Sequence, residues 1–214
     1  MDDEEVIRAF QGGDEAAFSD LVDRYRRPVY RIARGILKNH AQADEAAQDA
    51  FVKAWQGLPS FRGDSTFKTW MYRIAMNAAF DFRAREATQA RTREEAALRA
   101  IIDARPAPRR AIDELIDEEE RKSMRAAVDG LPDKQRATLL LRIQDDLKYT
   151  EIAEVLGCHV GTVKANFHHA VKNLQEALGK QPLRGRQPLR GMRTLQATAL
   201  AEDDGIPAGD AHDA

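Results

Sequence analysis

The sequence predicts an all-α protein with two small helical domains joined by a flexible linker. Over most of the chain, apolar residues recur every three or four positions, as they do on amphipathic helices. Between the two periodic regions, residues 87–113 are rich in charge, contain Pro106 and Pro108 and carry no sustained apolar stripe. The domains are therefore predicted at 1–86 and 114–178, with 87–113 as linker and 179–214 as a disordered C-terminal extension.

The composition is that of a folded protein whose charges are balanced. Hydrophobic residues make up 43% of the 214 residues, and 33 Lys and Arg oppose 35 Asp and Glu for a net charge of −2. Nucleic-acid binding therefore has to come from local patches. The single cysteine, Cys158, has no partner at zinc-ligand spacing, so we expect it to pack internally and expect no metal or cofactor. An acidic N-terminus and the lack of a long apolar run predict a cytoplasmic protein without membrane insertion.

The first helices show one apolar and one basic face. A short helix is expected over 3–11, closed by Gly12 and Gly13, after which Asp14 can cap the next helix. That next helix has a continuous apolar stripe that Pro28 is expected to interrupt or kink. The stripe consists of Phe18, Leu21, Val22, Tyr25, Val29, Ile32, Ala33 and Ile36. The opposite face holds Arg24, Arg26, Arg27, Arg31, Arg34 and Lys38, a charge run that is usually a solvated surface.

A helix over 41–56 combines a buried face with an acidic one. Ala47, Phe51 and Trp55 are expected inside. The exposed polar residues are Asp44, Glu45, Gln48 and Asp49. Carboxylates at this spacing can support acid/base or metal chemistry, but no nucleophile, histidine or third ligand accompanies them. A partner-binding or merely solvated acidic surface is the better interpretation.

The segment 57–65 breaks the helices, and Asp64 or Ser65 can cap a helix that begins at Thr66. One side of this helix is an ordinary core face, formed by Phe67, Trp70, Met71, Ile74, Ala78 and Phe82. The other side mixes aromatics, arginine and an amide at Thr69, Tyr72, Arg73, Met76, Asn77 and Phe80. Such a surface can stack unpaired bases and hold phosphates, although Met76 and Phe80 can equally pack on a neighbouring helix.

Residues 147–169 have the pattern of a helix-turn-helix. Ile152, Ala153 and Leu156 recur at helical spacing, Gly157 can take the positive φ of a helix end, and the period restarts at Val160. The second helix would point its polar face into a major groove. The alternative is a helical hairpin without a ligand. Before this motif in the chain, a helix is expected over 115–128, a break at Leu131 and Pro132, and a helix capped by Asp133.

Three stretches together resemble sigma-70-type RNA polymerase sigma factors of the extracytoplasmic-function (ECF) group. FRGDSTFKTWMYRIAMNAAFDFRAR resembles the promoter-melting segment, and ADEAAQDAFVKAW resembles the helix that binds the polymerase clamp. LPDKQRATLLLRIQDDLKYTEIAEVLGCHVGTVKANFHHAVKNL resembles the promoter-reading C-terminal domain. The similarity covers roughly 5–85 and 114–178 in the family's order. The resemblance implies a sigma-2-like bundle, a sigma-4-like helix-turn-helix domain and a specificity factor that is not an enzyme.

The resemblance also implies roles for individual residues. Core RNA polymerase, at its clamp and flap regions, is an implied partner, and the first domain would dock on the clamp through Asp44, Glu45, Gln48 and Asp49. The −10 element, melted to a single strand, would be bound by Phe61, Arg62, Asp64, Ser65, Lys68, Tyr72, Arg73, Asn77 and Phe80. The duplex −35 element would be bound by Lys148, Thr162, Lys164, Ala165, Asn166, His168 and His169, with Lys134 and Arg136 as further phosphate contacts. An anti-sigma factor is a further expected partner.

Two features leave the function partly open. Asn166 and His169 occupy positions where Arg is common in the family, which puts the promoter sequence in doubt because Arg is the best bidentate reader of guanine. The tail after Leu178 repeats QPLRG and changes from basic to acidic, so it is either a disordered extension or a regulatory arm. The alternative function is a dimeric helix-turn-helix regulator that acts without core polymerase.

Overall fold

The computed structural model describes residues 2–37, 39–97 and 115–179, and these residues form helices without any strand. The α-helices are α1 (Asp3–Gln11), α2 (Phe18–Leu37), α3 (His40–Gly57), α4 (Phe67–Ala97), α5 (Leu115–Asp129), α6 (Asp133–Gln144), α7 (Tyr149–Leu156) and α8 (Val160–Gly179). Two 3-10 turns, Glu15–Ala17 and Leu58–Ser60, complete the secondary structure. We call α1–α4 the first unit and α5–α8 the second unit. The predictions for Lys38, for most of the linker and for the tail lie outside the described residues.

Helix α2 forms the centre of the first unit, where it packs against both α3 and α4. Its predicted stripe is buried from Phe18 to Ile36, with Val22 half-buried. Pro28 does not interrupt the helix as expected, since α2 runs from Phe18 to Leu37 with the proline inside it. Proline removes one backbone hydrogen bond. Burial of the apolar side chains that follow it, including Val29 and Ile32, offsets this loss.

Alanine side chains form the buried face of α3, which corrects one predicted core position. Ala43, Ala46, Ala47, Ala50 and Ala54 are all buried. Small side chains bring the helix axes close together, so larger ones move to the edge of the contact. Phe51 is accordingly half-buried, and Trp55 is 37% exposed instead of internal. Trp55 lies edge-on to Phe10 and Phe18, with ring centroids 4.8 and 5.1 Å apart, so it fastens α1 to the bundle.

The residues that cap the helices of the first unit differ from the predicted ones. Asp14 makes no capping hydrogen bond, because a 3-10 turn follows it before α2 begins. Helix α4 begins at Phe67, and Thr66 caps it by accepting a 3.2 Å hydrogen bond from the Thr69 amide. Neither Asp64 nor Ser65 is needed for this role.

Helix α4 extends well beyond the predicted end of the first domain. It continues to Ala97, eleven residues into the segment that we expected to be linker from 87 onward. The sequence explains this extension, since 87–97 is rich in Ala, Glu and Arg and the next proline is Pro106.

Arg136 is an internal structural residue of the second unit, contrary to the prediction that it contacts phosphate. Its side chain is 1% exposed and donates to the backbone carbonyls of Asp129 and Leu131 at 3.1 and 3.3 Å. Asp133 is the first residue of α6 and makes no capping bond. Instead, its carboxylate accepts a 2.8 Å hydrogen bond from Arg136 and forms an ion pair with Arg83. A buried guanidinium needs such partners to offset the loss of water.

The helix-turn-helix prediction matches α7 and α8. Gly157 ends α7 with φ of +60°, the left-handed conformation that glycine adopts without steric cost. Ile152, Val163 and Phe167 are buried between the two helices and the rest of the unit. Cys158 is half-buried and packs against this core as a free thiol.

We expect the substitution Gly157→Val to destabilise the protein by about 2 kcal/mol, because a β-branched residue is strained at positive φ. Urea unfolding of the full chain, followed by circular dichroism, measures this loss. Gly161→Val is the matched control, since Gly161 lies in α8 without positive φ and a Cβ atom added there would meet no atom within 4 Å. An equal loss of stability in both variants would contradict the explanation.

The two units pack directly against each other. Ala137, Leu141 and Leu147 of the second unit belong to the same buried apolar cluster as α2 and α4. Gly35 of α2 lies under Leu140 of α6, so closely that a Cβ atom on Gly35 would come within 2.4 Å of the Leu140 Cδ1 atom. We call this packed state the closed arrangement.

Candidate nucleic-acid interface

An acidic face and an apolar groove lie side by side on α3. Asp44, Glu45 and Gln48 are exposed, whereas Asp49 is half-buried and pairs with Lys53 at 3.1 Å. Asp44 and Gln48 also border an open groove of about 720 Å³ between α2 and α3. The groove is lined by Val22, Arg26, Arg27, Tyr30, Asp44, Ala47, Gln48, Phe51 and Val52. Its apolar floor includes Val52, which is 54% exposed, and sequence reasoning missed this feature.

The loop 61–65 combines a fixed base with an exposed tip. Phe61 is half-buried against Phe67 and Trp70, with ring centroids 6.1 and 5.1 Å away. The Gln11 amide nitrogen also donates to the carbonyl of Phe61 at 3.0 Å, which ties the loop to α1. Beyond this base, Gly63 takes a φ of +76° and turns the chain outward.

The tip of this loop presents charge and backbone to solvent. Arg62 and Asp64 are exposed and pair with each other at 3.1 Å, while Ser65 is half-buried. An ion pair this exposed contributes little to stability, so both groups are available to a ligand. The arrangement can offer backbone and side-chain hydrogen bonds to the edge of an unpaired base.

The predicted −10 face of α4 is only partly at the surface. Arg73 and Asn77 are exposed, but Tyr72 is 2% exposed, and Lys68 and Phe80 are half-buried. Met76 is buried as well, as the alternative interpretation of this face allowed. The closed arrangement therefore does not present the open aromatic surface that we expected, because the second unit covers Lys68 and Tyr72.

Asp145, in the turn between α6 and α7, makes the covering contact. Its carboxylate accepts hydrogen bonds from Arg31 at 2.5 Å and from the Tyr72 hydroxyl at 3.1 Å. Its backbone carbonyl accepts a 3.2 Å bond from Lys68, whose ammonium lies 5.6 Å from the centroid of the Tyr72 ring. Burial raises the pKa of Tyr72, and the Asp145 carboxylate raises it further, so the hydroxyl stays a donor.

The exposed face of α8 contains most of the predicted −35 readers. Thr162, Lys164, Ala165, His168 and His169 are all exposed, and Lys148 is exposed where α7 begins. Their helix is held from behind by buried Val163, Phe167 and Ala170. The side chains are thus presented on a rigid helix, as a major-groove reader requires.

Asn166 differs from its neighbours on this helix. It is half-buried, and its side-chain nitrogen is fully enclosed without a hydrogen-bond partner among the described residues. A buried amide without a partner loses hydration free energy that a ligand or a rotated side chain can restore. In the closed arrangement Asn166 is therefore not presented to a base edge in the way that Thr162 and Lys164 are.

Sequence reasoning brought together the residues within each unit but missed those that join the units. Arg31 was predicted to belong to a solvated basic face, and Asp145 had no predicted role. The signal available in the sequence was the lack of any acid between Arg24 and Lys38, so Arg31 has no acidic residue within one turn on its own helix. Among the described residues, no helix has the length and apolar character needed to cross a membrane.

Family comparisons match both units. Residues 21–89 match the family model described as sigma-70 region 2, and residues 121–174 match the model described as sigma-70 region 4. The chain is 34% identical over 189 residues to the RNA polymerase sigma-H factor of Pseudomonas aeruginosa, a match that spans 85% of this chain and 95% of that relative. It is 31% identical over 187 residues to the ECF RNA polymerase sigma-E factor of Escherichia coli K12, across 86% of this chain and 96% of the relative.

A solved structure has the same fold. It is the sigma factor RpoE from Bartonella quintana, crystallised together with the anti-sigma factor NepR. The match has a TM-score of 0.53 at 23% sequence identity and covers 77% of this chain and 98% of that one.

Proposed function

Because this chain belongs to the ECF group of sigma-70-type RNA polymerase sigma factors, we propose that its separate surfaces carry the separate tasks of such a factor. The protein is a specificity factor for transcription initiation. It binds core RNA polymerase, recognises the −35 and −10 promoter elements and assists promoter melting. The division of these tasks among residues is our assignment.

Polymerase binding is assigned to the acidic face of α3 and the groove beside it. Asp44, Glu45, Gln48 and Asp49 supply charge and polarity, and the floor with Phe51 and Val52 supplies apolar area. A hydrophobic centre with a charged rim is the usual anatomy of a protein interface. The partner surface is the polymerase clamp, while the second unit meets the flap.

Recognition and melting of the −10 element are assigned to the loop 61–65 and the adjoining face of α4. A base flipped from the duplex would meet Asp64, Ser65 and the exposed backbone around Gly63. Arg62, Arg73 and Asn77 would then bind the separated strand, joined by Lys68 and Tyr72 once the second unit moves away. Phe61 and Phe80 support this surface from below, since both are half-buried.

Recognition of the −35 element is assigned to α8. The observation that carries this assignment is the rigid helix-turn-helix with its exposed row of Thr162, Lys164, Ala165, His168 and His169. We assign Lys148, which lies where α7 begins, a contact with phosphate. Asn166 would join the readers only after a change of side-chain conformation, so recognition of the base at its position depends on that change.

We assign polymerase binding and the −10 element to a domain over residues 1–86, and the −35 element to a domain over 114–178. Residues 87–113 connect the two domains, and 179–214 form an extension.

Sigma factors in general are not enzymes, and we propose that this chain likewise leaves all chemistry to the polymerase. Its place of action is then the cytoplasm, where polymerase and promoter DNA are found. An anti-sigma factor is a further partner, as for the structurally similar factor that was crystallised with one.

Run-off transcription with purified core polymerase lacking any sigma factor tests this function. Adding the full chain to genomic templates is expected to yield transcripts whose start sites share two upstream sequence elements. Sequencing these transcripts would identify both elements together. Failure to form a stable complex with core, together with no transcript from any template, would overturn the function.

A dimeric regulator that acts without polymerase is not favoured. Such a regulator needs a helix-turn-helix but has no use for a unit that matches sigma-70 region 2 over residues 21–89. In the run-off experiment it would give no transcript with core polymerase alone.

A further inference from the structure

Three hydrogen-bond donors from the first unit converge on one acidic residue of the second. The Asp145 side chain is only 4% exposed, and Arg31 and Tyr72 both donate to its Oδ1 atom. Lys68 donates to the backbone oxygen of the same residue. The donors come from two helices, α2 and α4, which pack firmly on each other. Arg31 and Tyr72 therefore form a preformed site for an anionic oxygen, with the Lys68 ammonium bound to a second oxygen of the same residue.

The turn that carries Asp145 is also held in place. Asp146 adopts a positive φ of 50°, and the buried Leu147 closes the turn through a 3.2 Å bond from its amide to the carbonyl of Leu141. Arg142 donates to the Leu147 carbonyl at 3.1 Å. The Asp145 carboxylate is thus presented by a fixed turn, which distinguishes it from a mobile surface contact.

The chemistry of this site suits a phosphodiester as well as it suits a carboxylate. Guanidinium, ammonium and phenol groups all donate to anionic oxygens, and charge-assisted bonds of this kind are short and strong. Lys68 and Tyr72 lie on the helix face assigned to the −10 strand. Arg31 is next to them and its side chain is 49% exposed, so it can contact the phosphates of a DNA strand that passes over the site.

We propose that Arg31, Lys68 and Tyr72 bind a backbone phosphate of the melted −10 strand, and that Asp145 occupies this site as an internal competitor while the units are closed. The proposal rests on the function assigned above and adds to it a DNA-binding role for Arg31 and an inhibitory role for Asp145. Strand binding then requires the units to separate, so the free protein binds DNA only through its open fraction. Polymerase, by holding the units apart, would remove the competitor.

Replacing Asp145 with asparagine tests the competition. The probe is a labelled oligodeoxythymidylate of about 12 nucleotides, within the usual length of a single-strand site, and its affinity for the full chain is measured by fluorescence anisotropy. Asp145→Asn is expected to bind the probe about tenfold more tightly than the original protein, because removing the negative charge weakens the charge-assisted hydrogen bonds that hold the closed state.

The matched control is Asp146→Asn, which removes the same charge one residue away. The Asp146 side chain is 96% exposed, and asparagine tolerates its positive φ. The control is expected to change the affinity by less than about twofold, since exposed charges are screened. Equal gains in the two variants would mean a general charge effect and would overturn the proposal, as would no gain in Asp145→Asn.

A second variant opens the units without touching the anion site. Gly35→Leu places a side chain where Leu140 now sits, so it should also tighten probe binding if closure is what blocks the strand.

Adding Arg31→Ala to Asp145→Asn should lower the slope of log affinity against log salt by about 0.7, the value for one phosphate contact on a single strand. An unchanged slope would mean that Arg31 does not contact a phosphate of the probe.

Measuring promoter affinity of the same variants in complex with core polymerase distinguishes a failure of this proposal from a failure of the function on which it rests. With core polymerase bound, Asp145→Asn should give the original promoter affinity within about twofold, because the competitor is already displaced. A tighter complex there would contradict displacement by polymerase. Loss of polymerase binding by the original chain would instead refute the assigned function.

Discussion

The double substitution of Asp44 and Glu45 by lysine is expected to weaken binding to core RNA polymerase by about 100-fold, because like charges facing each other across an interface cost several kcal/mol. Both side chains are exposed, and Asp44 lies at the edge of the apolar groove, where a partner would desolvate it. Competition with a labelled sigma factor for purified core, measured at fixed salt, gives the affinity.

The control for this prediction replaces Asp20 and Asp23 with lysine. These residues are exposed on α2 and do not line the groove, so the net charge changes equally while the assigned face stays intact. Binding within about threefold of the original chain is expected for the control, since neither residue lines the groove and exposed charges are screened by salt. Similar losses in both proteins would point to overall charge and would remove the acidic face from the polymerase interface.

The substitution Arg136→Ala is expected to destabilise the protein by about 3 kcal/mol, the effect of leaving buried polar partners unpaired. Asp129, Leu131 and Asp133 would each lose a hydrogen bond at the junction of α5 and α6. Burial also lowers the pKa of Arg136, and the neighbouring Asp133 carboxylate opposes this shift. Urea unfolding of the full chain, followed by circular dichroism, measures the change.

Arg125→Ala provides the comparison within the same unit. Arg125 is exposed on α5, so its removal should change the free energy of unfolding by less than about 0.5 kcal/mol. If Arg136→Ala unfolds no more easily than Arg125→Ala, the buried guanidinium does not support the junction.

Local patterns in the sequence were sufficient to predict the apolar stripe of α2 and the turn of the helix-turn-helix. The apolar stripe of α2 and the left-handed Gly157 both follow from neighbours within a few residues. Thr66 was missed as a cap because Asp64 and Ser65 beside it are equally good cap residues, and only the fold decides among them. Trp55 was misplaced because periodicity does not reveal that alanines already fill the helix contact.

The surface on α4 could not have been predicted in full. Tyr72 and its partner Asp145 are 73 residues apart in the chain, and no local pattern links them. The face was recognised by its residue types, but whether it is open or covered depends on how two units pack. For the same reason Arg31 looked like one of several solvated arginines, although its guanidinium reaches Asp145 on the other unit.

The length of α4 adds to the distance that the connection between the two units can span. Its final eleven residues carry the connection about 16 Å away from the first unit along a stiff axis. The 17 residues between Ala97 and Leu115 can add at most about 60 Å. Together these lengths only just exceed two turns of DNA, about 70 Å. Because the connection has little length to spare over that distance, the direction of the α4 axis adds to the reach between the two units.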